Sequence, residues 1–327
     1  MKQLIDQFGR KHTCLRIAVT DRCNLRCHYC MPPEGVVWKP KEAILSYEEI
    51  VRVATVASGM GVDKIRLTGG EPLVRQDVEQ LAEQLAHISG IKTVGMTTNG
   101  VLLAGKVEAL RAAGLNSLNI SLDSLQQSRF AEITRRDDWH KVISSIQAAA
   151  SCGFDAVKLN CVVMAGCNDD EILDFVDFVA DRELNVRFIE YMPFPNNLWE
   201  KQRVVLFAEM MKTIESRYRL IPLPKATGAA ARDFAIAGHC GKVGFITSVS
   251  ESFCSQCNRL RLTADGAIKS CLFSRQEVSL REVIRGGGTD DDLREAMYCA
   301  VMQKGYAHLP ADELAVIENR TMVEIGG

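Results

Sequence analysis

Through the first two thirds of the chain, short apolar runs of strand length alternate with longer stretches whose apolar residues recur at helical spacing. The strand-like runs are 15–20, 64–68, 93–98, 117–122, 156–163 and 185–191. A helix is predicted after Ser46-Tyr47-Glu48-Glu49, a capping-box pattern. Others are predicted over about 76–88, 107–113, 141–151 and 170–182. Six βα units in succession predict parallel strands with right-handed crossovers. A doubly wound sheet and a barrel both satisfy this order. The motifs below fall at the C-terminal ends of successive strands, where barrel enzymes build their active sites. Six units rather than eight point to an incomplete, TIM-like (βα)6 barrel, open on one side.

The pattern changes beyond Tyr191. Met192-Pro193-Phe194-Pro195-Asn196-Asn197 is rich in turn residues, and Pro222 and Pro224 bracket another break. We therefore expect an α/β barrel domain over 1–225 and a smaller α+β domain over 226–327, lying across the open side of the barrel.

Composition narrows the class. With 327 residues, 47% of them hydrophobic, the chain can bury a large core. No N-terminal apolar stretch reads as a signal peptide, and no run approaches the ~20 residues that span a membrane. A cytoplasmic location without a membrane partner is the expectation. A net charge of −2 argues against a protein that coats nucleic acid. Twelve cysteines in a reducing compartment suggest metal clusters and free thiols rather than disulfides.

The chemistry concentrates in those cysteines. Cys23-Asn24-Leu25-Arg26-Cys27-His28-Tyr29-Cys30 follows the first strand, and Cys254, Cys257 and Cys271 form a second set. Three thiolates can hold three irons of a four-iron cluster and leave the fourth open to a small molecule. A structural zinc site wants four nitrogen or sulfur ligands, which His28 could complete in the first set and His239 or Cys240 in the second. Spacing alone leaves both readings open. Cys14, Cys152, Cys161, Cys167, Cys240 and Cys299 read as small buried hydrophobes. Thr68-Gly69-Gly70-Glu71-Pro72 ends the second strand, either as a plain turn or as backbone opened to a ligand by its glycines. Arg259 and Arg261, two apart in a strand, face one side, where Arg16, Arg66 and Lys158 add charge, either to hold a polyanion or to form structural ion pairs. Asn119, Ser121 and Asp123 share a strand face, and Glu190 and Tyr191 close the sixth strand at the rim.

A three-cysteine loop after the first strand and GGEP after the second together resemble the radical S-adenosylmethionine (SAM) superfamily. Asp21 to Pro32, Arg66 to Leu73 and Cys257 to Gly266 narrow the resemblance to the GTP 3′,8-cyclase family, and the likeness runs from Phe8-Gly9-Arg10 to Gly326-Gly327. It implies two four-iron four-sulfur clusters, held by Cys23, Cys27 and Cys30 and by Cys254, Cys257 and Cys271. It places SAM on Tyr29, Gly70, Ser121 and Met192. GTP falls to Arg16, Arg66, Thr97, Lys158, Arg259, Leu260 and Arg261, with Thr97 preferred over Thr98 by family register. A 5′-deoxyadenosyl radical would remove the ribose 3′ hydrogen, and the carbon radical would attack C8 of guanine. That reaction opens molybdenum cofactor biosynthesis. The diglycine tail, Gly326 and Gly327, would reach into the site. Implied partners are GTP, an external electron donor, cyclic pyranopterin monophosphate synthase as product acceptor, and a second copy of the chain in a homodimer. The rivals are a peptide-modifying radical SAM enzyme with an auxiliary cluster and a zinc-stabilised nucleotide- or RNA-binding module.

Overall fold

The computed structural model describes residues 2–195, 197–225 and 227–326. Six strands form in the order expected: β1 Cys14–Ala18, β2 Lys64–Thr68, β3 Thr93–Thr98, β4 Leu115–Ser121, β5 Ala156–Val163 and β6 Leu184–Glu190. Each pairs in parallel with the next. The helices between them are α1 Tyr47–Gly59, α2 Val78–Ala86, α3 Val107–Ala112, α4 Gln127–Thr134, α5 Trp139–Ser151 and α6 Ile172–Ala180. The predicted box starts α1: Ser46 N donates to Glu49 Oε2 at 2.7 Å, and Glu49 N donates to Ser46 Oγ at 3.2 Å. Ile50, Val53, Ala54 and Ala57 fall three and four apart, so one face of α1 is buried.

Strand alternation decides where the site lies. Along β5, Val157, Leu159, Cys161 and Val163 join the apolar core, while Lys158, Asn160 and Val162 line a cavity on the other face. A period of two thus separates an apolar face from a polar one. Cys161 packs in the core, as its offset from Lys158 predicts.

The C-terminal strands are β7 Leu220–Pro222, β8 Arg232–Ile236, β9 Lys242–Ile246, β10 Arg259–Leu262, β11 Ala267–Lys269 and β12 Val278–Ser279. All twelve strands form one sheet, in the order β12-β11-β10-β1-β2-β3-β4-β5-β6-β9-β8-β7. β10 adds to β1 and β9 adds to β6, both in parallel. The physical reason is edge pairing: β1 and β6 would otherwise present unpaired backbone groups, and the C-terminal segment satisfies both. The expected division at 225/226 falls between the two strands of the β7–β8 hairpin. The remaining helices are α7 Phe207–Glu215, α8 Leu280–Arg285, α9 Asp290–Met302, α10 Ala311–Leu314 and α11 Met322–Ile325.

Candidate active site

The inner face of the sheet encloses a cavity of about 710 Å³, within the range of small-molecule sites. Cys23, Cys27 and Cys30 line it from the loop after β1. Two neighbouring elements fix that loop. From the second βα loop, Gly70 N donates to Thr20 O at 2.8 Å and Glu71 N to Arg22 O at 2.8 Å. At the end of α4, Thr134 O and Ile133 O accept from Arg26 N and His28 N at 2.9 and 3.0 Å. A Cβ on Gly69 would lie 2.5 Å from Thr20 O, and one on Gly70 would lie 2.3 Å from Arg22 O. Close backbone packing on the cysteine loop therefore requires both glycines, a use that the ligand-approach reading did not include. Glu71, wholly buried, accepts from Thr98 Oγ1 at 2.7 Å and Asn99 N at 2.6 Å, and burial pushes its carboxyl up to about 7. Asn99 in turn donates to Cys23 Sγ at 3.7 Å.

Burial pushes all three of these thiols upward, Cys23 to about 11 and the other two further. The surroundings offer them little positive charge. Tyr29 OH donates to Asp123 Oδ2 at 2.6 Å and Val162 N to Asp123 Oδ1 at 2.9 Å, while burial pushes the Asp123 carboxyl up to about 6. The hydroxyl of Tyr29 is thereby occupied within the protein. Gly70, Ser121 and Met192 line the same cavity.

Arginines dominate another level of the cavity. Register sets Arg261, Arg16 and Arg66 side by side on β10, β1 and β2, with strands ~4.8 Å apart. Burial depresses all three guanidinium groups, and for Arg16 the charges of Arg261 and Arg66 add to the effect. A polyanion would relieve that strain. Gly95 makes room for Arg66, whose Nη2 would lie 2.8 Å from a Cβ there. Thr97, Asn119, Lys158 and Asn185 form a neighbouring row. Among the described residues, Thr97 Oγ1, Asn119 Oδ1 and Asn185 Oδ1 are buried without a hydrogen-bond partner. Thr98 is committed to Glu71. Burial, then Arg187 and Arg66, hold Lys158 down to about 8.

Leu260 can reach the cavity only through its backbone. It is 1% exposed and packs in the core, because alternation turns its side chain away from the face of Arg259 and Arg261. Lys64 and Arg187 line the cavity and were missed, although Lys64 lies two residues from Arg66 on the same inward face. Arg187 pairs with Asp233 at 3.3 Å. Glu190, wholly buried, accepts from Phe207 N, Val249 N and Ser250 N at 2.7–2.9 Å, tying three segments at the strand end. Tyr191 donates its hydroxyl to Asn197 O. Gly326 O accepts from Arg261 Nη1 at 2.5 Å, and a Cβ on Gly326 would lie 2.7 Å from Thr68 Oγ1. Gly327 lies outside the described residues.

The second cysteine set stands behind the cavity wall. Cys254 and Cys257 share one turn, with Cys257 N donating to Cys254 O at 3.1 Å, and Cys271 follows β11. Phe253, Asn258, Arg259 and Leu272, their sequence neighbours, line the cavity itself. Lys304 Nζ donates to Cys257 Sγ at 3.4 Å, and His308 hydrogen-bonds Cys254. Burial works against these thiolates, yet His308 and Ser252 bring Cys254 down to about 7, and Arg259 and Lys304 bring Cys257 to about 6. His239 and Cys240, the candidate fourth ligands, meet the C-terminal end of α6. His239 pairs with Asp181 at 2.8 Å and Cys240 donates to Ala180 O at 3.7 Å. Among the described residues, no three His, Cys, Asp or Glu side chains are gathered to hold a single metal ion. In the first set, the three thiols of Cys23, Cys27 and Cys30, opening on a cavity with unpaired polar groups, fit a four-iron cluster with one iron left to a ligand.

Comparisons with known proteins agree with this geometry. Residues 17–179 match the Radical SAM superfamily model, and residues 184–310 match the Molybdenum Cofactor Synthesis C model. The mitochondrial GTP 3′,8-cyclase of Arabidopsis thaliana is 51% identical over 99% of this chain and 83% of its own length. The GTP 3′,8-cyclase of Petrotoga mobilis is 44% identical over 93% of this chain and 94% of its own. Against molybdenum cofactor biosynthesis protein 1 of Mus musculus, at 48% identity, the chain spans about half the relative's length, 51%. Among solved structures, Streptococcus suis SuiB bound to S-adenosylmethionine superposes with a TM-score of 0.62 at 16% identity, covering 85% of this chain and 67% of that one, a likeness of fold alone. The chain belongs to the GTP 3′,8-cyclase family of the radical SAM superfamily, whose members use SAM with a four-iron four-sulfur cluster.

Proposed function

We propose that this chain cyclises GTP between C3′ and C8, the first step of molybdenum cofactor biosynthesis. The observation that carries this reading is the row Arg261, Arg16 and Arg66, set in the same cavity as the three-cysteine loop. Fixed guanidinium groups suit a triphosphate, whose anchoring leaves the ribose and base to face the loop. In this reading Cys23, Cys27 and Cys30 hold the SAM cluster, and Cys254, Cys257 and Cys271 hold a second. Tyr29, Gly70, Ser121 and Met192 position SAM. Arg16, Arg66, Thr97, Lys158, Arg259 and Arg261 hold GTP, Leu260 contributes backbone only, and Lys64 and Arg187 join them. When bound, the first cluster and SAM supply a 5′-deoxyadenosyl radical by one-electron cleavage of the sulfonium.

The residues holding GTP would present its ribose 3′ hydrogen to that radical and keep C8 within bonding reach of C3′. Completing the dihydropurine ring takes one further electron and one proton, so each turnover draws two electrons from an external donor. The chain's part is to fix C3′ against the radical and C8 against C3′, a gain of positioning. Gly326 helps by holding Arg261 in place. The product passes to cyclic pyranopterin monophosphate synthase. We place the enzyme in the cytoplasm, consistent with the lack, among the described residues, of a helix long and apolar enough to cross a membrane; a homodimer fits the same reading.

The two cysteine sets divide the labour, and substitution separates them. Cys27→Ala abolishes reductive cleavage of SAM to 5′-deoxyadenosine. Cys257→Ala leaves basal cleavage and loses GTP binding and cyclisation. Anaerobic assays of deoxyadenosine release and GTP affinity on both variants check this; equal loss of both activities in both would contradict it.

A further inference from the structure

The two cysteine sets sit in opposite electrostatic surroundings. Around Cys23, Cys27 and Cys30 the hydrogen-bond donors to the thiols are neutral, the Asn99 amide, the Leu25 N–H and the Tyr29 hydroxyl, and the nearby charges are mainly the carboxylates of Asp123 and Glu71, with Arg26 a weaker opposing one at Cys23. Around the second set the donors are cationic or can become so. Lys304 is 3% exposed, and its ammonium spends its hydrogen bonds on Cys257 Sγ at 3.4 Å and Arg259 O at 3.0 Å. Burying an ammonium is costly unless an anion compensates. A cysteine sulfur that binds iron as the thiolate would compensate it. His308, four residues on, meets Cys254 and packs its ring 5.0 Å from that of Phe273.

This placement is built. Arg10, 8% exposed, staples the segment to the cysteine turn: its Nη1 donates to Cys254 O and Tyr306 O at 2.7 Å each, and its Nη2 to Gly305 O at 2.7 Å. Asp6 Oδ2 accepts from Arg10 Nε at 2.6 Å, and Gln7 Nε2 donates to Lys304 O at 3.3 Å. The N-terminal segment thus holds the 304–308 segment rigidly against the second set.

We propose that Lys304, supported by His308, is a positioning residue that sets the reduction potential of the second cluster above that of the first. The inference rests on the two-cluster reading. Reduction adds negative charge to a cluster, and a cation hydrogen-bonded to a ligand sulfur stabilises the reduced state; hydrogen bonds and charge at the sulfurs are what tune such centres. An electron entering the enzyme therefore rests on the second cluster in preference to the first.

The test uses the full chain carrying Cys23→Ala, Cys27→Ala and Cys30→Ala, so that only the second set can assemble a cluster. Anaerobic reconstitution is followed by iron and sulfide counting and by a redox titration monitored by electron paramagnetic resonance. Four irons per chain are expected; none would overturn the two-cluster reading itself. In that background Lys304→Gln, which keeps a donor but drops the charge, makes reduction about tenfold less favourable, or about 59 mV lower for one electron. Lys304→Arg stays close to the parent. An assembled cluster whose potential is the same in Lys304→Gln and the parent overturns the role of Lys304 and leaves the two-cluster reading intact. If Lys304→Gln assembles no cluster, the parent background labelled with ¹⁵N-lysine decides by electron–nuclear double resonance. A lysine nitrogen coupled to the reduced cluster supports the inference, and no coupling overturns it.

Discussion

Thr97 and Thr98 are neighbours with opposite duties, and the difference is one step of strand alternation. Thr97 turns an unpaired hydroxyl into the cavity, while Thr98 donates at 2.7 Å to a wholly buried carboxylate. Thr97→Val therefore raises the KM for GTP several-fold with stability unchanged to within about 0.5 kcal/mol. Thr98→Val leaves Glu71 a donor short, costs about 1–3 kcal/mol in stability and loosens Asn99. Denaturation midpoints and steady-state kinetics on both variants check this, and the reverse pattern would contradict it. The same alternation made Arg16, Arg66, Lys158 and Arg261 legible in the sequence. Lys64 and Arg187 obey it too and were within reach. Lys304 and His308 were not, because they lie outside any periodic element and reach the second cysteine set only through tertiary packing.

At the scale of elements, the site depends on how one loop is clamped. The first cysteine loop lies between the glycine pair of the second βα loop and the C-terminal carbonyls of α4. Gly70→Ala would drive a methyl group to 2.3 Å from Arg22 O, so the loop must shift. The variant keeps its far-ultraviolet circular dichroism and loses about half its iron on reconstitution, since the second set lies elsewhere. Full iron content with unchanged SAM cleavage would show that the close approach carries no function. The barrel strands were legible to within a residue or two because alternation or continuous burial marks each of them. By contrast, α4 escaped notice. In Gln127–Thr134 only Phe130 and Ile133 bear large buried apolar side chains, too few for a helical period to emerge. The pairings of β9 with β6 and of β10 with β1 were hidden for a different reason: strand pairing between distant segments leaves no local mark.

Across the whole molecule, charge is segregated. The chain carries a net −2, yet cationic side chains outnumber carboxylates along the cavity wall. Net charge argues against coating nucleic acid and is silent about the interior. One consequence concerns pH. Lys158 sits at about 8 rather than 10.5 because burial and its cationic neighbours oppose its charge. A bound triphosphate favours the protonated form, so above pH 8 GTP binding takes up a proton. Affinity holds below pH 8 and weakens above it, by up to ~10-fold per pH unit from this group. Lys158→Met binds more weakly at pH 7 and has a flatter profile above pH 8; a profile parallel to the parent would assign the titration to another group. The most direct measurement is anaerobic turnover of the reconstituted enzyme with SAM, a strong reductant and GTP deuterated at C3′. The cavity, with its triphosphate-sized cationic row and its cysteine loop, predicts that deuterium appears in 5′-deoxyadenosine as GTP is consumed. Deoxyadenosine free of deuterium, with GTP unchanged, would contradict abstraction at that carbon.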